Sequence, residues 1–248
     1  MTLAVAILSL GVAVAQSHTL NQHKSTNDLP QDSIALQAEL QQINVVATRA
    51  TESTPVAYTN ISHEQIERNN YGLDIPSLLA LTPSMIATNE TGVGIGATSI
   101  RLRGTDAKRI NVTVNGMMLN NPDSHSTYWY DTPDLISAIG DVQVQRGAGT
   151  STNGTGAFGG AVSMTTAAAA SDFGGEASFS YGSYNTNKQA VAISSGLMRG
   201  GWTVDARATH IGSDGYVDRG MTDLKSYMFQ AAKYGSRTSV KLLSFGGK

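Results

Sequence analysis

Val142–Thr165 reads VQVQRGAGTSTNGTGAFGGAVSMT, and the reading of this stretch decides the fold. Its ends, Val142–Gln145 and Ala161–Thr165, are β-prone, and the middle is a glycine-rich loop. Gly154, Gly156 and Gly159 match the spacing of a dinucleotide fingerprint, and Glu176 follows Gly156 at the customary distance for the ribose carboxylate. In that fingerprint the glycines open a helix whose N-terminus holds pyrophosphate; here they lead into a strand, so the match fails. Gly149 to Gly154 has phosphate-loop spacing, but Thr155 stands in the lysine position. The glycines are therefore steric: chain packed closely on chain, with tight turns between strands.

N-terminal to this stretch, Ser53 to Thr166 is mixed α and β. Ser62 with Gln65 forms a capping box for a short helix, Ser62 to Asn70. Asp74 caps a second helix with Pro76 in its first turn, Leu78, Leu79 and Leu81 on its inner face, and Pro83 as its stop. Strands are expected at Ser99–Arg103, Ile110–Asn115 and Met117–Leu119, the last two joined at the Asn115-Gly116 turn signal. Ile110, Val112 and Val114 alternate with Asn111, Thr113 and Asn115, so one face packs and the other is polar.

C-terminal to it, from Ser171, the pattern becomes long two-residue alternation. Trp202, Val204, Ala206 and Ala208 face one way; Thr203, Asp205, Arg207 and Thr209 face the other. The same period sets Ala177, Phe179 and Tyr181 against Ser178 and Ser180, Val191 and Ile193 against Ala190 and Ala192, and Tyr227, Phe229 and Ala231 against Ser226 and Gln230. Strands of about 9 to 11 residues with one apolar face and terminal aromatics suit a transmembrane barrel. A soluble sandwich gives a similar pattern. Short turns such as Met198–Gly201 alternate with a longer polar one, Gly212–Asp223.

The first residues concern destination. Leu3–Ala15 is an apolar run ending in Ala13-Val14-Ala15, too short to span a bilayer and of the small-x-small form cut from secreted precursors, though no basic residue precedes Lys24. Residues 1–15 read as a signal peptide. Gln16–Gln42 is rich in Gln, Asn, Ser and Asp and has too little apolar surface to offset chain entropy, so 16–52 reads as a flexible leader. Within it Ile43–Thr48 (INVVAT) is a β-prone island. Two readings stand: a segment that adds a strand to a partner's sheet edge, or the first strand of the following domain.

Composition excludes several classes. Of 248 residues, 26 are glycine and 15% are charged, which rules out a coiled coil or a charge-driven disordered tail. A net charge of −2 leaves no electrostatic footprint for nucleic acid. With no cysteine there is no disulfide framework, thiolate metal site or cysteine nucleophile. Asp123, Ser124, His125 and Ser126 are triad residue types, but they are adjacent, whereas a triad converges from separate elements. The five histidines have no zinc-ligand spacing. No enzyme, resident metal or cofactor is expected.

The order of these features resembles the TonB-dependent outer-membrane receptors, in which a plug domain fills the lumen of a 22-stranded barrel. Ile43–Arg49 (INVVATR) resembles the TonB box and the residues after it. Ile61–Met85 (ISHEQIERNNYGLDIPSLLALTPSM) resembles the first plug helices, with Ser84 in place of the glycine of the family's "TPG". Ile100–Leu119 (IRLRGTDAKRINVTVNGMML) resembles the plug's "RG…V.V.DG" strands, with Asn115 for Asp. Val142–Thr165 resembles the most specific plug motif, "E.RGP.S..YG..A.GG.I...T": Arg146-Gly147 and Gly159-Gly160 match, while Gln145, Ala148 and Asn153 depart. The resemblance covers about residues 43 to 166, and the later strands resemble the start of the family's barrel.

The resemblance implies an α+β plug domain over 53–166, a small mixed sheet with short helices. Antiparallel strands of an incomplete transmembrane β-barrel follow over 167–248. About five strands are readable after the plug, and the smallest membrane barrels have eight, so the chain is expected to stop short of closure. It also implies a receptor of the bacterial outer membrane that takes up a scarce, bulky ligand. An Fe(III)-siderophore comes first by family prevalence, then cobalamin, haem and oligosaccharide. Energy would come through TonB, served by ExbB and ExbD, acting on Ile43, Asn44, Val45, Val46, Ala47 and Thr48. Ligand contacts would come from the apical plug loops: Asn89, Gly92 and Gly94 in Asn89–Ala97, and Asn121, His125, Tyr128, Trp129 and Tyr130 in Asn120–Asp131. Tyr128, Trp129 and Tyr130 either cover the ligand or pack on the inner barrel wall. Arg101, Arg103 and Arg146 are expected as buried plug charges paired with carboxylates. Two other readings remain: a secreted soluble β-rich binding or adhesion module, and a receptor fragment that transports nothing.

Overall fold

The computed structural model describes residues 5–9, 49–149, 156–235 and 238–248. Of the expected signal only the 5–9 backbone falls within these, and the leader through Thr48, including the 43–48 segment, lies outside them. In chain order the strands are β1 Val5–Ser9, β2 Ala57–Ile61, β3 Met85–Asn89, β4 Thr98–Leu102, β5 Ile110–Val114, β6 Met117–Met118, β7 Ile139–Arg146, β8 Gly160–Thr166, β9 Gly174–Tyr181, β10 Asn187–Ser194, β11 Trp202–Ser213, β12 Thr222–Tyr234 and β13 Ser239–Gly247. Two helices, α1 His63–Asn69 and α2 Ile75–Leu79, follow β2. Among the described residues no helix is long and apolar enough to cross a membrane, which has no bearing on strands.

The plug is built on a five-stranded mixed sheet in the order β2-β7-β8-β5-β6, with the β3–β4 hairpin beside it. β8 runs parallel to β5, and the other pairs are antiparallel. Alternation sends Val142, Val144, Val162, Met164, Ile110, Val112 and Val114 into one core with Ile66, Leu78 and Leu79 from the helices. The opposite face is polar as expected, but it is also covered: Asn111, Gln143, Gln145, Ser163 and Thr165 are all buried. Asn115 and Gly116 both have positive φ, 50° and 80°, as a tight hairpin turn requires. At Gly160 an added Cβ would strike the Gln145 carbonyl oxygen and the Leu102 side chain, so this glycine is steric, as the sequence suggested.

Local chemistry explains α1 and corrects part of α2. Ser62 Oγ accepts from Gln65 N–H and Gln65 Oε1 accepts from Ser62 N–H, completing the box. Asp74 makes no side-chain cap to α2; its Oδ2 instead accepts from Thr98 Oγ1 at 3.1 Å. Leu81 is 69% exposed because the helix ends at Leu79, so residue 81 is no longer in phase with the inner face.

β9–β13 form an antiparallel meander of five strands, an open sheet that does not close on itself. Phe179, Tyr181, Val191, Ile193, Trp202, Tyr227 and Phe229 project from the face away from the plug and are exposed. Lys188, Thr203, Thr209, Gln230, Lys241 and Phe245 point toward the plug and are buried. β1 pairs antiparallel along the outer edge of β13, Val5 opposite Phe245 and Ser9 opposite Lys241.

Several contacts seat the plug on this wall. Leu243 and Phe245 join the plug core alongside Trp129 and Leu135. Lys188 Nζ donates to Asp134 Oδ1 at 2.5 Å and to Ser137 Oγ at 3.0 Å, while Thr209 Oγ1 donates to Asp134 Oδ2 at 2.6 Å. Lys241 Nζ donates to Thr166 Oγ1 at 2.5 Å.

Candidate ligand and coupling sites

The loop between β3 and β4 is braced from within. Asn89 Nδ2 donates to the Ile95 carbonyl at 3.0 Å, and Asn89 Oδ1 accepts from Thr91 Oγ1 and Gly94 N–H. Asn89 thus spends its amide on loop shape. Gly92 and Gly94 have φ of 77° and 84°, and a Cβ at Gly94 would press on Leu73. The Thr91 carbonyl accepts from Tyr216 and Val217 N–H at 3.0 and 3.3 Å, which ties this plug loop to the long loop between β11 and β12. Beneath it lies Asp74. Burial pushes its carboxyl from 3.8 up to about 7, against the opposing pull of hydrogen bonds from Thr98 and the Gly96 backbone.

The loop after β6 divides into two parts. In Asn120–Ser126, Asn121 Oδ1 accepts from Asp123 and Ser124 N–H, and His125, with φ of 55°, donates its N–H to the Asn121 carbonyl. Asn120 stitches this turn to the start of β5: its Oδ1 accepts from Val112 N–H and its Nδ2 donates to the Ile110 carbonyl. In the second part Tyr128 and Tyr130 are 37% and 42% exposed and stack with ring centroids 5.6 Å apart. Trp129 between them is 2% exposed and packs in the core with Leu243 and Phe245 of β13, the wall-packing alternative of the sequence reading.

Asn121 and His125 line a cleft of 610 Å³ at the start of β5. Asp106, Lys108, Arg109, Met118, Pro122 and Phe158 line it as well. Phe158 is 70% exposed. Two cations, an imidazole and exposed apolar side chains at one opening suit an anionic, partly aromatic guest. Asp106 Oδ2 holds Arg109 Nη1 at 3.3 Å. The sequence reading left Lys108, Arg109 and Phe158 out of the site; the adjacent Lys108-Arg109 pair at the head of a strand was the available signal. Tyr128, Tyr130, Asn89, Gly92 and Gly94 do not line this cleft.

The expected carboxylate pairing of three plug arginines is also corrected. Arg101 and Arg103 are exposed, on the solvent side of β4 and its following turn. Arg146 is half-buried and donates to Thr59 Oγ1 at 2.5 Å and to the Tyr58 carbonyl at 3.2 Å, fastening β7 to β2. None of the three forms an ion pair among the described residues. For Arg101 the reason is register: β4 pairs with β3 alone, which leaves Ser99 and Arg101 outside the core.

Where the chain approaches the 43–48 segment, Arg49 and Ala50 lie on the polar face of the plug sheet. Ala50 N–H donates to Gln143 Oε1 at 2.7 Å, Gln143 Nε2 donates to the Ala50 carbonyl at 3.0 Å, and Arg49 pairs with Asp141.

A short two-helix domain on a mixed sheet, seated against an open antiparallel wall with an apolar outer face, is the arrangement of a plug on part of a barrel wall. Residues 50–161 match the family model described as TonB-dependent Receptor Plug Domain. Over these residues the chain carries a plug domain of the TonB-dependent receptor type. It is similar in structure to the siderophore receptor PiuA from Acinetobacter baumannii, with a TM-score of 0.64 and 14% identity over 84% of this chain and 29% of that one. The pyoverdine outer membrane receptor FpvA from Pseudomonas aeruginosa gives a TM-score of 0.61 and 16% identity over 78% and 28%. The ferric yersiniabactin uptake receptor FyuA from Yersinia pestis gives 0.59 and 15% over 81% and 32%. The chain thus spans about three tenths of the length of these receptors. No curated protein matches the sequence.

Proposed function

We propose that the protein acts in TonB-dependent uptake of a bulky, scarce ligand, an Fe(III)-siderophore before cobalamin or haem. It is a receptor and not an enzyme. The observation that carries this reading is the cleft of Lys108, Arg109, His125, Met118 and Phe158, whose charge and apolar surface suit an anionic chelate with aromatic or amide donors. The loop Asn89–Ala97, tied to the wall loop at Tyr216, gives a second contact region. The siderophore receptors similar in fold support the ligand class.

Ile43–Thr48 is the segment that TonB engages, and Leu3–Ala15 directs export. The outer membrane holds no nucleotide triphosphate, so work arrives as tension, and an extended segment pairing edge to edge with a partner can carry it. The exposed outer face of Phe179, Val191, Ile193, Tyr227 and Phe229 suits lipid, which disfavours a soluble adhesion module.

Deleting Ile43–Thr48 from the receptor tests the reading. Binding of ferric siderophore, followed by quenching of tryptophan fluorescence, is expected to persist while uptake of radioactive iron stops. Uptake at the parental rate would sink it.

A further inference from the structure

The grip on Ala50 is of an unusual kind. A glutamine amide presents one donor and one acceptor, as a backbone peptide group does, so Gln143 holds Ala50 as a neighbouring strand would, but at a single residue. Both residues are buried, Ala50 at 5% and Gln143 at 3% exposure. The amide is itself fixed: Gln143 Nε2 donates to Asn60 Oδ1 at 2.8 Å, and Gln143 Oε1 accepts from Gln145 Nε2 at 2.9 Å. Beside it Arg49 pairs with Asp141 and donates to Thr165 Oγ1 at 2.6 Å and to the Ser163 carbonyl at 3.3 Å. Next along the chain comes a turn closed by Thr54 N–H donating to the Thr51 carbonyl at 2.9 Å. Only then does β2 pair with β7, from Ala57 opposite Arg146 to Ile61 opposite Val142.

These attachments lie in series. Tension applied before Arg49 meets the Gln143 and Asp141 contacts first, then the turn, and last the β2–β7 ladder. The first attachment is made through the side chains of Gln143, Asp141 and Arg49, and the last by a five-residue backbone ladder, so the first is loaded while the ladder still holds.

We propose that Arg49 and Ala50, held by Asp141 and Gln143, form a releasable clip between the leader and the plug sheet, with Gln143 as its positioning residue. Closed, the clip holds Arg49 and Ala50 on the sheet, with the 51–54 turn behind them, and shields β2 from tension. Open, it frees residues 49–56 as up to about 28 Å of extended chain before any strand of the plug is disturbed. Its role in transport rests on Ile43–Thr48 being the pulled segment; its release does not.

The chain contains no cysteine, so a nitroxide at Glu52→Cys reports this segment alone. In outer-membrane vesicles the parent is expected to give an immobilised spectrum. Gln143→Leu, which keeps the volume and removes both bonds to Ala50, is expected to raise the ratio of mobile to immobile label roughly thirtyfold. Because Gln143 is buried in the sheet, Arg49→Met serves as a second variant that leaves β7 untouched, with a smaller shift in the same direction. Spectra unchanged in both variants overturn the proposal, as does mobility that rises only with loss of the plug's melting transition. If uptake survives deletion of Ile43–Thr48 while the spectra shift as stated, the transport reading fails and the clip stands.

Discussion

Lys188 on β10 and Asp134 of the plug meet at 2.5 Å with side chains 7% and 2% exposed, a buried ion pair that bridges two parts of the fold. Asp134 also accepts from Ser137 and Thr209, and Lys188 also reaches Asn70, so each charge is compensated by several partners. Removing one member of such a pair leaves the other charge buried, at a cost of about 3–5 kcal/mol. Lys188→Met is therefore expected to loosen the plug strongly, read as faster protease cleavage of residues 132–138. The double variant Lys188→Met with Asp134→Leu is expected to recover much of the loss, and a strictly additive cycle would count against the coupling.

Asp74 makes stability depend on pH. Its folded value, about 7, lies above the ordinary 3.8, so the folded state holds the proton more tightly than the unfolded chain does. Its contribution is fully present below about pH 4 and is lost as pH rises from about 4 through 7. Asp74→Asn keeps an acceptor for Thr98 and removes the buried charge. It is expected to raise the melting temperature at about pH 8, by a stabilisation of ~1–3 kcal/mol, and to change little at about pH 4. A lower melting temperature at the higher pH would refute this.

Trp129 and Tyr128 are neighbours with opposite expectations. Trp129→Ala empties part of a core shared with β13 and is expected to cost about 3–5 kcal/mol in denaturant unfolding. Tyr128→Ala removes one ring of an exposed stack and is expected to cost no more than about 1.5 kcal/mol. If the two variants prove equally stable, the burial of Trp129 is wrong.

Gly160→Ala is expected to destabilise by about 1–3 kcal/mol, since the new methyl meets backbone at Gln145 and has no room to shift. Gly174→Ala is the control: open space surrounds that position, and its melting temperature is expected to match the parent.

Wherever the cause was local, the sequence displayed it. The Ser62/Gln65 capping box, the Asn115-Gly116 turn and the outward aromatics of β9–β12 all depend on residues within a few positions of one another. The strands β2 and β3 were missed because Ala57–Ile61 and Met85–Asn89 carry no clean alternation. Their extended form comes from pairing with Val142–Arg146 and Thr98–Leu102. In the site, the type of loop was legible and the choice of side chains was not. The Asn89 amide is engaged by its own loop, and Lys108, Arg109 and Phe158 become neighbours only when the start of β5 meets the chain at Gly156.

By itself, then, the sequence determined a mixed plug followed by wall strands with an apolar outer face, because periodicity, caps and turn residues act over short distances. Only the tertiary structure decided that Trp129 is core, that Arg101 and Arg103 lie outside the plug core, and that Gln143 grips Ala50. Those outcomes depend on which distant segment supplies the covering atoms. For Trp129 it is β13 and for Gln143 it is the approach from the leader, and no local pattern encodes such a meeting.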